Sequence, residues 1–167
     1  MLQIYCGDGK GKTTASVGLA VRMAGAGMKV AFVQFMKGGE TAELASLQKI
    51  DNIDVMRCDR DYGFFNTLSE RDKKELADCH NELLDRAFSG NYDGIILDEL
   101  NFAYGHGLMD CKKAEELILG KDDVAEVVIT GRQPAQVFLD AADYISEIKC
   151  VRHPYQKGIT ARKGIEF

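Results

Sequence analysis

Residues 1–14 read MLQIYCGDGKGKTT, an apolar segment that runs directly into a loop with three glycines and two lysines. The spacing G-x-x-x-x-G-K-[ST] of phosphate-binding loops is met at Gly11, Lys12 and Thr13, while Cys6 stands at the opening position. Glycines let backbone N–H groups point inward at an anion, and a helix that follows adds its own unpaired N–H groups. This stretch therefore predicts a strand, a phosphate-binding loop and a helix.

Two lysines and a hydroxyl group give the predicted loop its chemistry. Lys12 is expected to contact the β and γ phosphates of a nucleotide, and the hydroxyl of Thr13 is expected to ligate Mg²⁺. Lys10 is either a second phosphate contact or a solvated side chain. The opening position lies at the end of the predicted strand, so Gly7 and Gly9 remain to shape the loop. The alternative is a tight turn between a strand and a helix that binds no phosphate.

Short apolar segments alternate with helical patterns along the whole chain. The segments are LQIYC, KVAFVQF, IDVMRC, DGIILDE, AEVVITG and YISEIKCV. Residues 13–27 and 69–91 read as helices, the second with Ser69 and Asp72 as a capping box and Gly90 as its end. This alternation predicts an α/β fold of the P-loop (RecA-like) type, a mostly parallel sheet with helices on both faces.

The segment GIILDELNF, residues 94–102, predicts the second half of a nucleotide site. Four apolar residues are followed by Asp98 and Glu99, which puts carboxylates at the tip of a buried strand. Mg²⁺ prefers oxygen ligands and keeps several waters, so these carboxylates and a loop hydroxyl would suffice to bind it. An aspartate that caps a helix is the alternative. Arg132 follows another strand, where it would either grip a phosphate or lie free on the surface.

Length and composition bound the class of protein. At 167 residues, with 46% hydrophobic and 28% charged residues, the chain is expected to be one soluble domain spanning 1–167. Its 21 basic and 26 acidic residues give a net charge of −5, which argues against a nucleic-acid partner. No apolar run reaches the roughly 18 residues of a membrane span, and no signal peptide is recognisable. The cytoplasm is therefore the expected location.

The cysteines and histidines carry no obvious metal site. The five cysteines include no C-x-x-C pair, and the closest two, Cys58 and Cys79, are 21 positions apart. Each cysteine is expected to be a reduced, small core residue. His80 lies on the apolar side of its predicted helix and is expected to be a packed core residue, whereas nothing in the pattern assigns a role to His106.

Five motifs in order make the sequence more specific than a phosphate-binding loop alone. They are IYCGDGKGKTTA, KVAFVQFMKG, IILDELNFA, VVITGR and the tail VRHPYQKGITARKGIEF. Together they resemble the ATP:corrinoid adenosyltransferases of the CobA/BtuR type over nearly the whole chain. The resemblance implies a homodimer that transfers the 5′-deoxyadenosyl group of ATP to the Co(I) of a reduced corrinoid such as cobalamin, forms adenosylcobalamin and releases triphosphate. It also implies a flavin-type reductase as the electron donor.

The resemblance also assigns site residues. It makes residues 7–14 the triphosphate loop, so the implied nucleotide-binding residues are Gly7, Asp8, Gly9, Lys10, Gly11, Lys12, Thr13 and Thr14, joined by Arg132 on the rim. Asp8 would lie near the nucleoside, and Thr13 and Glu99 would hold Mg²⁺ with Asp98 nearby. No protein base or nucleophile is required, because Co(I) carries the electron pair that attacks C5′.

An aromatic loop, DYGFFNTLSERD (residues 61–72), is where the chain departs from the family. The resemblance implies that Phe64 presses against one face of the corrinoid, excludes an axial ligand and so favours Co(I). A tryptophan of well-known relatives is Asn66 here, and Phe65 or Tyr62 is expected to replace it. The alternative is that these aromatic residues pin the loop onto the core. His153 matches a family histidine in the tail.

Two other functions remain compatible with the sequence. One is a phosphoryl-transfer enzyme such as a small nucleoside kinase, which would release ADP rather than triphosphate. The other is an ATP-gated binding module that uses the loop only as a switch.

Overall fold

Six strands of the described residues form one all-parallel sheet in a computed structural model of the chain. The structure describes residues 1–39, 41–63, 65–120 and 125–166. The strands are β1 (Leu2–Cys6), β2 (Val30–Gln34), β3 (Ile53–Arg57), β4 (Gly94–Asp98), β5 (Glu126–Thr130) and β6 (Tyr144–Glu147). Their order across the sheet is β3-β2-β4-β5-β1-β6. The predicted α/β fold is confirmed, and each apolar segment contains one strand.

Helices connect the strands. They are α1 (Lys12–Gly25), α2 (Ala42–Leu47), α3 (Glu70–Ser89), α4 (Leu100–Gly105), α5 (Cys111–Leu119) and α6 (Gln136–Ala141). The sequence predicted α1 and α3. The other four span six to nine residues, which is too short for an apolar face to repeat and be recognised.

Successive side chains of a strand point to opposite faces of the sheet, so the core has two parts, one on each face. In β2, Ala31 and Val33 point to one face and Phe32 to the other. The first face is covered by α3, α4, α5 and α6, and the second by α1 and α2. Helices on both faces are what a parallel sheet needs to bury both of its sides.

Helix α3 begins and ends where the sequence predicts. The Ser69 hydroxyl accepts from the Asp72 N–H, and the Asp72 carboxylate accepts from the Ser69 N–H, so the capping box is formed. The buried face of the helix carries Leu76, Leu83 and Leu84. Among the described residues, no helix is long and apolar enough to cross a bilayer.

The prediction that every cysteine is a reduced core residue is wrong. Cys58 and Cys79 form a disulfide, with their Cα atoms 6.2 Å apart. Cys58 directly follows β3 and Cys79 lies on α3, so the fold brings together two thiols that are far apart in sequence. Cys6, Cys111 and Cys150 are free, but Cys150 is exposed and Cys111 is half-buried, so only Cys6 matches the expected buried thiol.

Candidate functional site

The loop between β1 and α1 lies at the carboxyl edge of the sheet, where parallel sheets bind ligands. The backbone N–H of Gly7 donates to the carbonyl of Arg132 at 3.1 Å, and that of Gly9 donates to the carbonyl of Ile148 at 2.7 Å. These two N–H groups are therefore committed to neighbouring segments. The loop is held in shape by contacts to the ends of β5 and β6.

Close packing explains two of the loop glycines. A Cβ atom on Gly7 would lie 2.5 Å from the Ile148 carbonyl oxygen, and one on Gly9 would lie 2.7 Å from the same atom. Gly7 also has a φ of +97°, which side chains rarely adopt. No residue with a side chain fits at either position unless the backbone at Ile148 moves.

Lys12, the first residue of α1, is folded back into the loop. Its side chain is buried, and its ammonium donates to the carbonyls of Gly7 and Gly9, both at 2.8 Å. The first turn of α1 carries no acidic side chain. Its N-cap residue is Gly11, so no side chain caps the first N–H groups of the helix. The helix N-terminus and the ammonium together give the loop a positive character.

A buried carboxylate joins the loop to the sheet. Asp98, at the end of β4, is fully buried, and its Oδ1 accepts from the hydroxyls of Thr13 at 2.9 Å and Thr130 at 2.8 Å. Thr130 ends β5, the strand beside β4. The sequence predicted Asp98 and Thr13 and missed Thr130, although its place at a strand end is a usable signal.

Lys37 is a second residue that the sequence analysis missed. It lies in the turn after β2, and its ammonium donates to Asp98 Oδ2 at 2.7 Å and to Thr13 Oγ1 at 3.2 Å. The motif KVAFVQFMKG contains this lysine, but the contact depends on β2 and β4 being neighbours in the sheet.

Glu99 has a strained backbone beside the buried carboxylate. It caps α4 with φ +61° and ψ +20°, and its N–H donates to the Thr130 hydroxyl at 2.9 Å. Burial, and then the charge of Asp98, raises the pKa of Glu99, while Lys37, Lys12 and Arg132 oppose that rise. The carboxyl group is thus half-buried among cations and available to a ligand.

The remaining predicted residues lie around the opening of the site. An open cleft of about 150 Å³ is lined by residues 10–14, Glu99 and the tail residues Ile165 and Glu166. The side chains of Asp8, Lys10, Thr14 and Arg132 are exposed. Phe64 lies outside the described residues. His153, in the tail, accepts from the N–H of Tyr155 at 3.1 Å.

The sequence profile of the ATP:corrinoid adenosyltransferase family BtuR/CobO/CobP matches residues 1–167. The chain belongs to this family. It is 30% identical to a corrinoid adenosyltransferase of Pseudomonas aeruginosa over 100% of this chain and 83% of that one. A corrinoid adenosyltransferase of Escherichia coli K12 is 27% identical over 98% of this chain and 84% of its own length. The resemblance inferred from the motifs is confirmed, and the enzyme class is that of the corrinoid adenosyltransferases.

The donor atoms of this adenosyltransferase suit a magnesium ion bound together with a ligand. Thr13, Asp98 and Glu99 offer hydroxyl and carboxylate oxygens, the kind of ligand that Mg²⁺ prefers. Within the described ranges, no group of three or more His, Cys, Asp or Glu residues could hold a metal. Thr13, Asp98 and Glu99 are thus oxygen donors of the kind that suit a Mg²⁺ ion, which would complete its coordination with waters or with oxygens of a ligand.

The aromatic loop of this adenosyltransferase packs against α4. The ring of Phe65 lies 5.5 Å from that of Phe102 and 4.6 Å from that of His106, edge-on to both. Phe102 and His106 are stacked 3.9 Å apart. Tyr62 lies instead beneath the guanidinium of Arg60, 4.6 Å away. Among the described residues, Phe65 is thus in an aromatic cluster with Phe102 and His106, whereas the ring of Tyr62 contacts Arg60.

Proposed function

We propose that this chain transfers the 5′-deoxyadenosyl group of ATP to the Co(I) of a reduced corrinoid and releases triphosphate. The observation that carries the proposal is the hydrogen bond from Thr13, in the first turn of α1 directly after the loop, to the buried carboxylate of Asp98. It joins a phosphate-binding loop to an acidic strand end, the pairing that a nucleoside triphosphate and Mg²⁺ require. Family membership supplies the corrinoid as the acceptor.

The chain's own residues would act on the leaving group. Cobalt supplies the electron pair that forms the Co–C5′ bond, and the C5′–O bond breaks with its pair going to triphosphate. Lys12 and the N-terminus of α1 would stabilise the charge that grows on the departing oxygen. Thr13, Asp98 and Glu99 would hold Mg²⁺, which supplies further positive charge when bound. The protein's remaining task is to align the two reactants.

The partners follow from the same proposal. ATP and a corrinoid such as cobalamin are the substrates, adenosylcobalamin is the product, and a flavin-type reductase supplies the electron. A cytoplasmic location stays a prediction. A homodimer, implied by the family, would also cover apolar surface, since Tyr144 and Ile145 on the edge strand β6 are 55% and 50% exposed.

A direct assay tests the reaction. The protein is mixed anaerobically with ATP, Mg²⁺ and chemically reduced cobalamin, and the visible spectrum and the phosphate products are followed. We expect loss of the Co(I) spectrum, a light-sensitive alkylcobalamin and one triphosphate per cobalamin. Release of ADP with an unchanged Co(I) spectrum would overturn the proposal in favour of phosphoryl transfer, and ATP binding without turnover would favour a binding module.

The electron source tests the role of the aromatic loop. If Phe64 excludes an axial ligand of cobalt, Phe64→Ala should lose activity when cob(II)alamin is reduced by a flavin system and much less when cob(I)alamin is supplied. The readout is the ratio of the two rates. Equal losses in both assays with a lowered melting temperature would assign Phe64 to packing alone.

A further inference from the structure

The Asp98 carboxylate needs a positive partner in the nucleotide-free protein. It has no exposed surface, and a buried charge without a counter-charge is strongly unfavourable. The hydroxyls of Thr13 and Thr130 satisfy Oδ1 but bring no charge. Lys12 does not fill this role, because its ammonium is bonded to loop carbonyls.

Lys37 fills it. Within the described residues, its ammonium makes the sole ion pair of Asp98, at 2.7 Å from Oδ2, and it also contacts Thr13 Oγ1 at 3.2 Å. The ammonium therefore bridges two of the three side chains that we propose as ligands of Mg²⁺. A divalent cation on those same oxygens would repel it strongly at such short range.

Lys37 has a second carboxylate, that of Glu43, within reach of its ammonium. Its side chain is 24% exposed, and its ammonium already lies 3.8 Å from Glu43 Oε1, a carboxylate on α2 that is 20% exposed. A small rotation of the side chain exchanges Asp98 for Glu43 without leaving the ammonium unpaired. The Glu43 carboxylate is itself held by the amide of Gln34 at 2.9 Å.

The turn that carries Lys37 is fixed by a buried histidine. Met36 has φ +61°, and its N–H donates to Nε2 of His80 at 3.3 Å. The other ring nitrogen of His80 donates to the Leu108 carbonyl at 2.8 Å, so Nε2 must be the acceptor. His80 thus holds the backbone before Lys37 in the conformation that points the lysine at Asp98.

We propose that Lys37 is a resident counter-cation, which keeps Asp98 and Thr13 in place before a metal arrives and is displaced towards Glu43 when the metal binds. The proposal rests on the magnesium site of the proposed function. Lys37 would act by competition, so removing its charge should weaken the metal-free protein and strengthen metal binding. Removing a lysine that does not contact these oxygens should change the binding of metal alone much less, because repulsion falls with distance.

Two measurements without nucleotide or corrinoid test this proposal. The first is the melting temperature of Lys37→Met in EDTA, which should fall by roughly 5 °C or more because Asp98 loses its partner. The second is binding of Mn²⁺ alone, followed by the electron paramagnetic resonance of the free ion, whose half-saturation should fall about tenfold. Lys113→Met, which removes a surface ion pair with Asp85, is the matched control and should change neither strongly.

A second variant covers the case in which Lys37→Met does not fold. Lys37→Gln keeps a hydrogen-bond donor but removes the charge, and it should also bind Mn²⁺ more tightly. Unchanged or weaker Mn²⁺ binding in both folded variants, or an unchanged melting temperature in EDTA, would overturn the proposal. Because neither measurement involves ATP or cobalamin, failure of the adenosyl-transfer assay is a separate result.

Discussion

At the scale of single residues, Lys12 combines a structural contact with a proposed chemical one. Its ammonium holds the carbonyls of Gly7 and Gly9 and would turn to the triphosphate when the nucleotide binds. We expect Lys12→Ala to lower turnover about 10²–10³-fold, the usual cost of removing one preorganised electrostatic contact. The measurement is the rate with pre-reduced cobalamin, with the exposed Lys10→Ala as comparison. A Lys12→Ala enzyme that keeps more than a third of wild-type activity would contradict the role.

His80 makes the stability of the protein depend on pH. Burial lowers the pKa of His80 from 6.5 to about 4, against a smaller opposing effect of its hydrogen bond to Leu108. The unfolded chain therefore binds a proton at a higher pH than the folded one. The contribution of His80 to the free energy of unfolding is fully present above pH 6.5. It is lost as the pH falls towards 4, and the loss amounts to up to about 3 kcal/mol.

Urea unfolding between pH 7 and pH 4 measures this effect. His80→Gln keeps one donor and one acceptor but does not titrate, so its stability should fall less over the same range. A slope identical to that of the wild type would show that the carboxylates, and not His80, cause the loss.

At the scale of elements, the loop and β6 are fitted to each other through Ile148. Gly9→Ala would place a Cβ atom 2.7 Å from the Ile148 carbonyl and 2.8 Å from its side chain. We expect this variant to lose most nucleotide binding, because the loop must move away from β6 or distort. Gly18→Ala, in α1 with open space around it, is the matched control and should be neutral or stabilise by up to about 1 kcal/mol. Calorimetric titration with MgATP measures the nucleotide affinity of both variants. Equal affinities would contradict the close packing of the loop against Ile148.

The helices and strands that could be predicted are those whose sequence signals lie within the element itself. The strands lie in short segments rich in β-branched and other apolar residues, and α3 has a capping box, an apolar face and a glycine at its end. The short helices α2, α4 and α6 lack such signals, since six residues make fewer than two turns. They are fixed by packing on the sheet, which no local pattern contains.

At the scale of the whole molecule, the residues of the site also differ in whether a local sequence pattern predicts them. The loop and the Asp98–Glu99 pair were predictable because each is a contiguous motif. Thr130 offered only its place at a strand end as a signal, and Lys37 was not predictable, because it reaches Asp98 only through the neighbouring strands β2 and β4. The disulfide was missed for the same reason, since the proximity of Cys58 and Cys79 is a property of the packed chain.

That disulfide also changes the topology of the molecule. The Cys58–Cys79 bond makes residues 58–79, with the whole aromatic loop, a closed covalent ring from which the two ends of the chain emerge. A single peptide cleavage inside the ring opens it but leaves one connected molecule. Brief trypsin treatment that cuts after Arg60, whose side chain is 57% exposed, should therefore give a full-length band on a gel without reductant and two fragments with it. In Cys79→Ser the fragments should separate under both conditions, and their separation in the oxidised wild type would show that no ring exists.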